Sequence, residues 1–231
     1  MEMIRIALVL GGAGDVGEGI VRQLRAAGWN TIVPSRSADK LDALAAASNG
    51  PGTFHPVVAD VGSETGAADA ADAIAARHGS IDLIVASVGG WWSGPPLMRM
   101  DVDDWYSVLE GSLSSHFHAA RAFLPLVLGN PESQYVFING GAARMPVPGS
   151  GPISIAAAAQ EMLQRVVAAE SASGSANIYT LLLNSLILTR ARTSAPPGSI
   201  SADDVGGKII SLFENRPQHG ATVMLNSTAD L

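Results

Sequence analysis

The sequence contains few of the side chains that carry reactive chemistry. Cysteine is absent from the 231 residues, which excludes disulfides and thiolate catalysis. The five histidines lack metal-ligand spacing such as HExxH. His116 and His118 would point to different faces of a helix, so we interpret them as structural residues and not as ligands of one metal. Lysine occurs only at Lys40 and Lys208, and a net charge of −7 argues against the basic face that nucleic-acid binding requires. We therefore expect no metal site and no nucleic-acid partner.

Long hydrophobic runs are also missing. The longest apolar stretch, Ile178–Leu188, is interrupted by Asn184 and Ser185 and is too short to cross a bilayer. The N-terminus passes directly from Glu2 into a strand-like run, which does not resemble a signal peptide. These features predict a soluble, cytoplasmic protein with no membrane partner.

Apolar residues are abundant and regularly ordered. They make up 47% of the chain, against 15% charged residues, which is enough apolar content for a large core. Short β-branched runs alternate with longer helical segments, and no linker or repeat marks a second domain. We therefore predict an α/β fold: a single domain over residues 1–231, built on a Rossmann-like, doubly wound parallel sheet of about seven strands. The predicted strands are Ile4–Leu10, Asn30–Ser35, Phe54–Asp60, Ile81–Val88, Ser133–Gly140, Asn177–Asn184 and Ala221–Asn226, and one long helix is predicted over Asp101–Gly129.

The loop after the first strand is rich in glycine. Gly12, Gly14 and Gly17 match GxGxxG between a predicted strand and a predicted helix, which is the setting of a dinucleotide-binding loop. Glycine is needed there because the backbone must approach a pyrophosphate closely and turn onto the helix N-terminus. A tight turn that binds nothing is the alternative, and an inward-pointing Asp15 would repel phosphate. The residues expected to contact the cofactor in this loop are Gly11, Gly12, Gly14, Asp15, Val16 and Gly17.

The end of the second strand indicates which dinucleotide would bind. NAD-binding proteins usually place an acidic residue there, about 20 residues beyond the glycines, for the ribose hydroxyls. This chain has Ser35 and Arg36 instead. A hydroxyl and a guanidinium suit a 2′-phosphate, so the sequence favours NADP over NAD. A solvated arginine at a strand end is the alternative.

Together these motifs resemble those of the short-chain dehydrogenase/reductase family over nearly the whole chain. The glycine loop is similar to the family's TGxxxGxG region, with Leu10 in place of threonine. Asp60 and Val61 match the family's Asp-Val after the third strand, where the aspartate contacts the adenine. Gly89 is what remains of the family's NNAG, and Thr189 matches the threonine that contacts the nicotinamide carboxamide. The resemblance implies that Asp60, Val61, Gly89 and Thr189 belong to the cofactor site.

The residues that carry the family's chemistry are missing. In the family a tyrosine transfers the hydroxyl proton, and a lysine four residues later lowers its pKa and holds the nicotinamide ribose. A serine steadies the substrate oxygen, and an asparagine holds a water in the proton relay. In the ungapped register, Ile153 occupies the tyrosine position, Ala157 the lysine, Gly140 the serine and Ser112 the asparagine. Loss of a general acid alone typically lowers a rate by about 10²–10⁴, so the resemblance implies the fold without the family's mechanism.

Three functions follow as hypotheses. The first is an atypical NADP-dependent oxidoreductase for an activated substrate, such as an imine or a conjugated quinone, with Asn139, Arg144 or a water on Ser112 as substitute proton donors. The second is a catalytically inactive member that binds a small-molecule ligand, regulates, or serves as a partner subunit. The third, a redox-neutral isomerase, lyase or cyclase, ranks last because the sequence offers it no acid–base pair.

Two further expectations concern contacts with other molecules. Trp91 and Trp92, after the fourth strand, fall at the predicted substrate mouth and could stack an aromatic ring, or could simply pack in the core. In the family, two long helices pair across a two-fold axis. The resemblance therefore implies a homo-oligomer, with a tetramer as the default, through helices that here contain Met162, Leu163 and Val166. Packing of that face on the chain's own sheet is the alternative.

Overall fold

The protein is organised around a parallel β-sheet. The computed structural model describes residues 4–171, 175–194 and 196–231. In these residues seven strands pair in the order β3-β2-β1-β4-β5-β6-β9, all parallel. They are β1 (Ile6–Leu10), β2 (Asn30–Ser35), β3 (Phe54–Val58), β4 (Leu83–Ala86), β5 (Gln134–Gly140), β6 (Asn177–Leu183) and β9 (Thr222–Leu225), and β7 (Ile187–Leu188) pairs separately with β8 (Ile200–Ser201). The predicted α/β fold is confirmed.

Helices connect the strands of the sheet. Within the described ranges they are α1 (Gly17–Ala26), α2 (Ala38–Ala47), α3 (Glu64–His78), α4 (Val102–Leu109), α5 (Ser115–Phe123), α6 (Pro125–Leu128), α7 (Gly151–Glu170) and α8 (Ala202–Glu214). Ser37, Ser63 and Ser201 begin α2, α3 and α8 by accepting a backbone N–H at the helix start. None of the helices described here has the length and apolar character that a membrane crossing requires.

The segment predicted as one helix over Asp101–Gly129 is interrupted twice. A π-helical turn, Glu110–Ser114, separates α4 from α5, and Leu124 separates α5 from α6. Pro125, which lacks a backbone N–H, begins α6, a position at which proline is well tolerated. The apolar periodicity predicted the helix but could not reveal the π-helical turn, because that turn depends on hydrogen bonds made with other parts of the fold.

Two apolar layers cover the faces of the sheet. Side chains of α1, α2 and α8 pack on one face, and side chains of α3, α5 and α6 pack on the other. Helices α1 and α8 approach so closely that a Cβ on Gly19 would lie 2.2 Å from the carbonyl carbon of Ala202. This close packing holds α1, and with it the glycine loop, in a defined position.

The order of the strands determines where a ligand can bind. The chain runs outward from β1 to β3 and then crosses back, so that β4 pairs with β1 on its other side. In open α/β sheets, ligands bind beyond the carboxyl ends of the strands at such a reversal. A ligand is therefore expected beside the residues that follow β1, β2, β3 and β4.

Candidate functional site

A cleft of about 700 Å³ lies at the carboxyl ends of β1 to β4. Helix α4 and the π-helical turn contribute its opposite wall. Of the residues predicted from the sequence, those that line it are Gly11, Gly14, Ser35, Arg36, Asp60, Val61, Gly89, Trp91, Trp92, Ser112 and Ile153. The predicted residues that do not line it are Gly12, Asp15, Val16, Gly17, Asn139, Gly140, Arg144, Ala157 and Thr189.

Two glycines of the loop stand where a side chain would clash with the backbone, and a third is exposed in the cleft. Gly11 has a φ of +75°, and a Cβ there would lie 2.2 Å from the carbonyl oxygen of Ser87. A Cβ on Gly17 would lie 2.1 Å from the carbonyl oxygen of Gly11. Gly14, by contrast, is exposed and lines the cleft. Gly11 and Gly17 are thus required by the fold itself, whereas Gly14 leaves the backbone open to a ligand.

The start of α1 is open to an anion. Its N-cap residue, Val16, makes no side-chain cap hydrogen bond, although the first-turn N–H of Glu18 already donates to the Gly14 carbonyl at 2.9 Å. Such an uncapped N-terminus beside a glycine loop suits a pyrophosphate. Asp15 is exposed and is not among the residues that line the cleft.

Two cations lie at the β2 end of the cleft. Arg36 and Lys40 are both exposed and both line it, and neither forms an ion pair with a residue of the described ranges. The Ser35 hydroxyl accepts the backbone N–H of Ser37 at 3.2 Å, which shapes the turn that leads into α2. Sequence reasoning did not assign Lys40 to the site. Its position four residues after Arg36, in the first turn of the following helix, is the signal that could have found it.

An apolar surface occupies the position where the resemblance leads one to expect the catalytic tyrosine. Ile153 lines the cleft and is only 8% exposed, and Ala157 is buried one turn further along α7. Gly140 ends β5 outside the lining, and a Cβ there would meet nothing within 4 Å. Ile153 can therefore exclude water from this end of the cleft but cannot transfer a proton.

The two side chains predicted as substitute donors are engaged elsewhere. The Asn139 amide donates to the Ala157 carbonyl at 2.8 Å, and its Oδ1 accepts the Gly140 N–H at 2.8 Å. Arg144 makes a two-point contact with Glu161, at 2.5 and 3.3 Å. Hydrogen bonding from Arg144 lowers the pKa of Glu161, and the same contact raises the pKa of Arg144. Asn139 and Arg144 are thus held by other partners and are not among the residues that line the cleft.

The π-helical turn is held by a glutamine of α7. The Gln160 Nε2 donates to the Ser112 carbonyl at 2.9 Å, and the Ser115 hydroxyl contacts the same oxygen at 3.3 Å. The bond from Gln160 is buried and ties α7 to the turn. Sequence reasoning missed Gln160 because only the tertiary structure brings it against Ser112.

The paired tryptophans belong to a loop that is fixed to the start of α7. The Trp91 indole is 64% exposed, and its N–H donates to the Ser93 hydroxyl at 2.9 Å. Ser93 in turn contacts the hydroxyl of the buried Ser150 at 3.1 Å. A Cβ on Gly94 would lie 2.4 Å from the Trp92 ring, so this ring packs closely against the loop at Gly94. Core packing, the alternative for Trp91, does not apply to so exposed a side chain.

Two further residues singled out in the sequence, Thr189 and His116, are not among those that line the cleft. The Thr189 hydroxyl accepts the Arg192 N–H at 3.1 Å, in a turn beyond β7. His116 is buried, contacts the Val88 carbonyl through Nε2 at 3.2 Å, and has its pKa lowered to about 4 by burial. No group of three or more histidine, aspartate or glutamate side chains suited to a metal occurs in the part of the chain that the structure describes.

Comparison with known proteins identifies the family. The family model for short chain dehydrogenases matches residues 5–192. A rhamnolipids biosynthesis 3-oxoacyl-[acyl-carrier-protein] reductase from Pseudomonas aeruginosa is 31% identical over 123 residues, which cover 53% of this chain and 48% of that protein. The short chain dehydrogenase pigC of Monascus ruber is 24% identical over 210 residues, which cover 88% and 65% of the two chains. The chain thus matches less than two thirds of the length of these curated relatives.

A solved structure supports the assignment of the fold. The Pseudomonas aeruginosa RhlG/NADP active-site complex superposes with a TM-score of 0.84 at 23% identity, over 98% of this chain and 96% of that one. At this identity the likeness concerns the fold alone. Because the family model spans most of the sequence and the sheet has the expected order, the chain belongs to the short-chain dehydrogenase family.

Proposed function

We propose that the protein is an NADP(H)-dependent oxidoreductase that acts on a small apolar or aromatic substrate without the tyrosine–lysine acid of its family. The observation that carries this proposal is that one continuous cleft is basic at one end and lined by apolar and aromatic side chains elsewhere. Arg36 and Lys40 lie at its β2 end, and Trp91, Trp92 and Ile153 line it elsewhere. The first pair suits a phosphate and the second group suits an apolar ring.

The residues of the cleft fit a dinucleotide. Gly14 and the first turn of α1 would hold the pyrophosphate, and Arg36 with Lys40 would hold the 2′-phosphate. Asp60 would contact the adenine, as the family resemblance implies. Bound in this way, the cofactor would supply a hydride. The NADP complex of the Pseudomonas aeruginosa protein supports the same class of ligand, although that cofactor is a property of that protein.

The chain's own residues restrict which substrates could react. Ile153 would keep water from the reacting carbon without donating a proton. The Ser112 hydroxyl lines the cleft, so a water held on it is the remaining donor from the sequence hypotheses. A substrate already activated, such as an imine or a conjugated quinone, needs least help of this kind.

A second candidate function is a catalytically inactive binding or regulatory protein. The observation that favours it is the engagement of Asn139 and Arg144 in other bonds, together with the Gln160 amide on the Ser112 carbonyl. Those bonds leave a cleft that could hold a ligand with few groups to act on it. A redox-neutral isomerase or lyase has no such observation in its favour.

Cofactor binding and turnover separate the two candidates. NADPH and NADH are titrated by calorimetry, and NADPH oxidation is then followed with carbonyl, imine and enone substrates. We expect NADPH to bind more tightly than NADH, and oxidation with at least one imine or enone. Absence of binding at millimolar concentration would refute the cofactor assignment. Tight binding with no turnover across the panel would favour the regulatory function.

We also propose that the protein is a cytoplasmic homo-oligomer. An apolar stripe on α7 supports the assembly, because Ile155, Met162 and Val166 are 42%, 53% and 43% exposed on this helix. Light scattering of the purified protein should give a dimer or a tetramer, and Met162→Glu should shift it towards the monomer because a charge would be buried. A wild-type monomer at micromolar concentration would refute the assembly.

A further inference from the structure

The indole of Trp91 is held out into solvent by a chain of hydrogen bonds. Its N–H is bonded to Ser93, Ser93 contacts Ser150, and the Gly94 N–H donates to the Gly149 carbonyl at 2.8 Å. Ser150 is only 2% exposed, so the far end of this chain is anchored in the interior. A large apolar side chain fixed in an exposed position leaves its ring face free for a ligand.

Charge is distributed unevenly along the cleft. Its basic side chains, Arg36 and Lys40, come from the β2 end. The wall formed by α4 and the π-helical turn contributes Glu110 and, among its described lining residues, no lysine, arginine or histidine. The Glu110 carboxylate is largely exposed and lies 3.9 Å from Nε2 of His118. The part of the cleft away from β2 is therefore aromatic and acidic.

Aromatic faces combined with negative charge favour an organic cation. An indole attracts a cation over its ring, and the attraction strengthens as water is excluded. Ile153, which lines the cleft from the start of α7, offers no proton to the oxygen of a neutral carbonyl substrate. A substrate that is already positively charged is attracted to the indole rings and needs no proton from the protein.

We propose that the Trp91–Trp92 end of the cleft binds a planar organic cation, with a charged nitrogen over the indoles. As the substrate class of the enzyme, this is an iminium ion, an extension that rests on the proposed function. In its reduction, hydride from NADPH forms a C–H bond at the iminium carbon, the C=N π pair moves to nitrogen, and NADPH becomes NADP⁺. The product is a neutral amine, so no proton is taken up.

Binding of redox-inert probes tests the cation site directly. N-methylquinolinium and quinoline have nearly the same shape, and quinoline is neutral at neutral pH. Calorimetric titration with and without saturating NADP⁺ should show that the cation binds about fivefold to thirtyfold more tightly, in line with one well-formed cation–π contact. Equal dissociation constants for the two probes would overturn the proposal.

Variants assign the effect to the indoles. Trp91→Leu should remove most of the difference between the probes, and Trp105→Leu, which alters a half-buried indole outside the cleft lining, should preserve it. Ser93→Ala keeps the Trp91 indole but removes the hydroxyl that links it to Ser150, and it should reduce the difference partly. A preference that survives Trp91→Leu and Trp92→Leu alike would refute the role of the indoles.

Reduction assays keep this inference separate from the proposed function. NADPH oxidation is compared for N-methyl-3,4-dihydroisoquinolinium and the neutral ketone 1-tetralone, and we expect the iminium to react at least tenfold faster. If NADPH binds and enones react while the iminium does not, the iminium substrate is wrong and the oxidoreductase stands. If the cation binds but NADPH does not, the cation site stands and the oxidoreductase fails.

Discussion

Arg36 and Lys40 should together set the preference of the cleft for NADPH over NADH. Both side chains are exposed and line the β2 end, and neither forms an ion pair with any described residue. Arg36→Ala and Lys40→Ala each remove one cation from the space beside Ser35. Arg36→Asp replaces a cation with an anion there.

Solvent exposure sets the size of the effect. A hydrogen bond to a charged group contributes about 1.5–3 kcal/mol, but exposed ion pairs contribute only about 0.2–1 kcal/mol. For two exposed cations we expect about 1 kcal/mol each, which is about fivefold in the NADPH dissociation constant per substitution and about thirtyfold for the double variant. Arg36→Asp adds a repulsion of about 1 kcal/mol, estimated for unit charges about 4 Å apart in water.

The measurement is a pair of calorimetric titrations for each variant, one with NADPH and one with NADH. NADH lacks the 2′-phosphate, so its affinity should change by less than about twofold in the alanine variants. Arg165→Asp makes the same charge change on the exposed side of α7, outside the cleft lining, and serves as the control. It should leave the ratio of the two dissociation constants unchanged.

One result would refute the reasoning. If Arg36→Asp and Lys40→Ala both leave the NADPH-to-NADH ratio at the wild-type value, these residues do not contact a 2′-phosphate. Equal loss of affinity for both dinucleotides would instead indicate a general effect on the loop between β2 and α2.

Three further predictions concern other parts of the chain. Ile153→Tyr with Ala157→Lys restores the family's pair in the assigned register and should strengthen NADPH binding in calorimetry by severalfold, because a lysine would be returned beside the ribose. Gly11→Ala should lower the free energy of unfolding in urea by roughly 2–4 kcal/mol, because its Cβ would lie 2.2 Å from the Ser87 carbonyl oxygen at a φ of +75°. Burial lowers the pKa of His116 from 6.5 to about 4, so its contribution to stability is complete above pH 6.5 and is lost as the pH falls towards 4. Between pH 6.5 and pH 4, the unfolding free energy of His116→Leu should therefore fall by roughly 3 kcal/mol less than that of the wild type.

Matched controls make these outcomes specific. Ile155→Tyr with Ala158→Lys makes the same substitutions at exposed positions of α7 and should not strengthen NADPH binding. Weaker binding by the variant with Ile153→Tyr and Ala157→Lys would show that the register of this helix is wrong. Gly79→Ala introduces a Cβ that meets nothing within 4 Å at a φ of +65°, so it should destabilise by only about 1–2 kcal/mol. An unaltered pH profile for His116→Leu would refute the assignment of the acid-sensitive group.

Much of the framework was predictable because it depends on local patterns. The strands are read from short β-branched runs, and the switch from β1 into a helix is marked by the glycines of Gly11–Gly17. Ser63, for example, stands directly before α3, and its side chain accepts the Gly66 N–H as a helix N-cap does. Signals of this kind act over a few residues, so the sequence displays them directly.

The proton donors could not be predicted in the same way. Asn139 and Arg144 have side chains that could donate a proton, and both precede α7 in the chain. In the structure, however, the Arg144 guanidinium is bound to Glu161, and the Asn139 amide donates to the Ala157 carbonyl. Lys40 lies in α2, far in sequence from the position on α7 at which the family's lysine is expected. The contacts of these side chains depend on residues that are distant in sequence, which a local pattern does not reveal.

The sequence by itself determined the order of strands and helices, the glycine loop, and the absence of an ionisable side chain from Ile153 to Ala159. These properties reside in residue identity and short-range spacing. Only the tertiary structure decided that Ile153 faces the cleft, that Lys40 joins Arg36, that Gln160 binds the Ser112 carbonyl, and that Trp91 is held exposed. Each of these depends on which side chains meet across the packed sheet and helices. Such contacts are chosen by packing and hydrogen bonding between distant segments, which no local pattern contains.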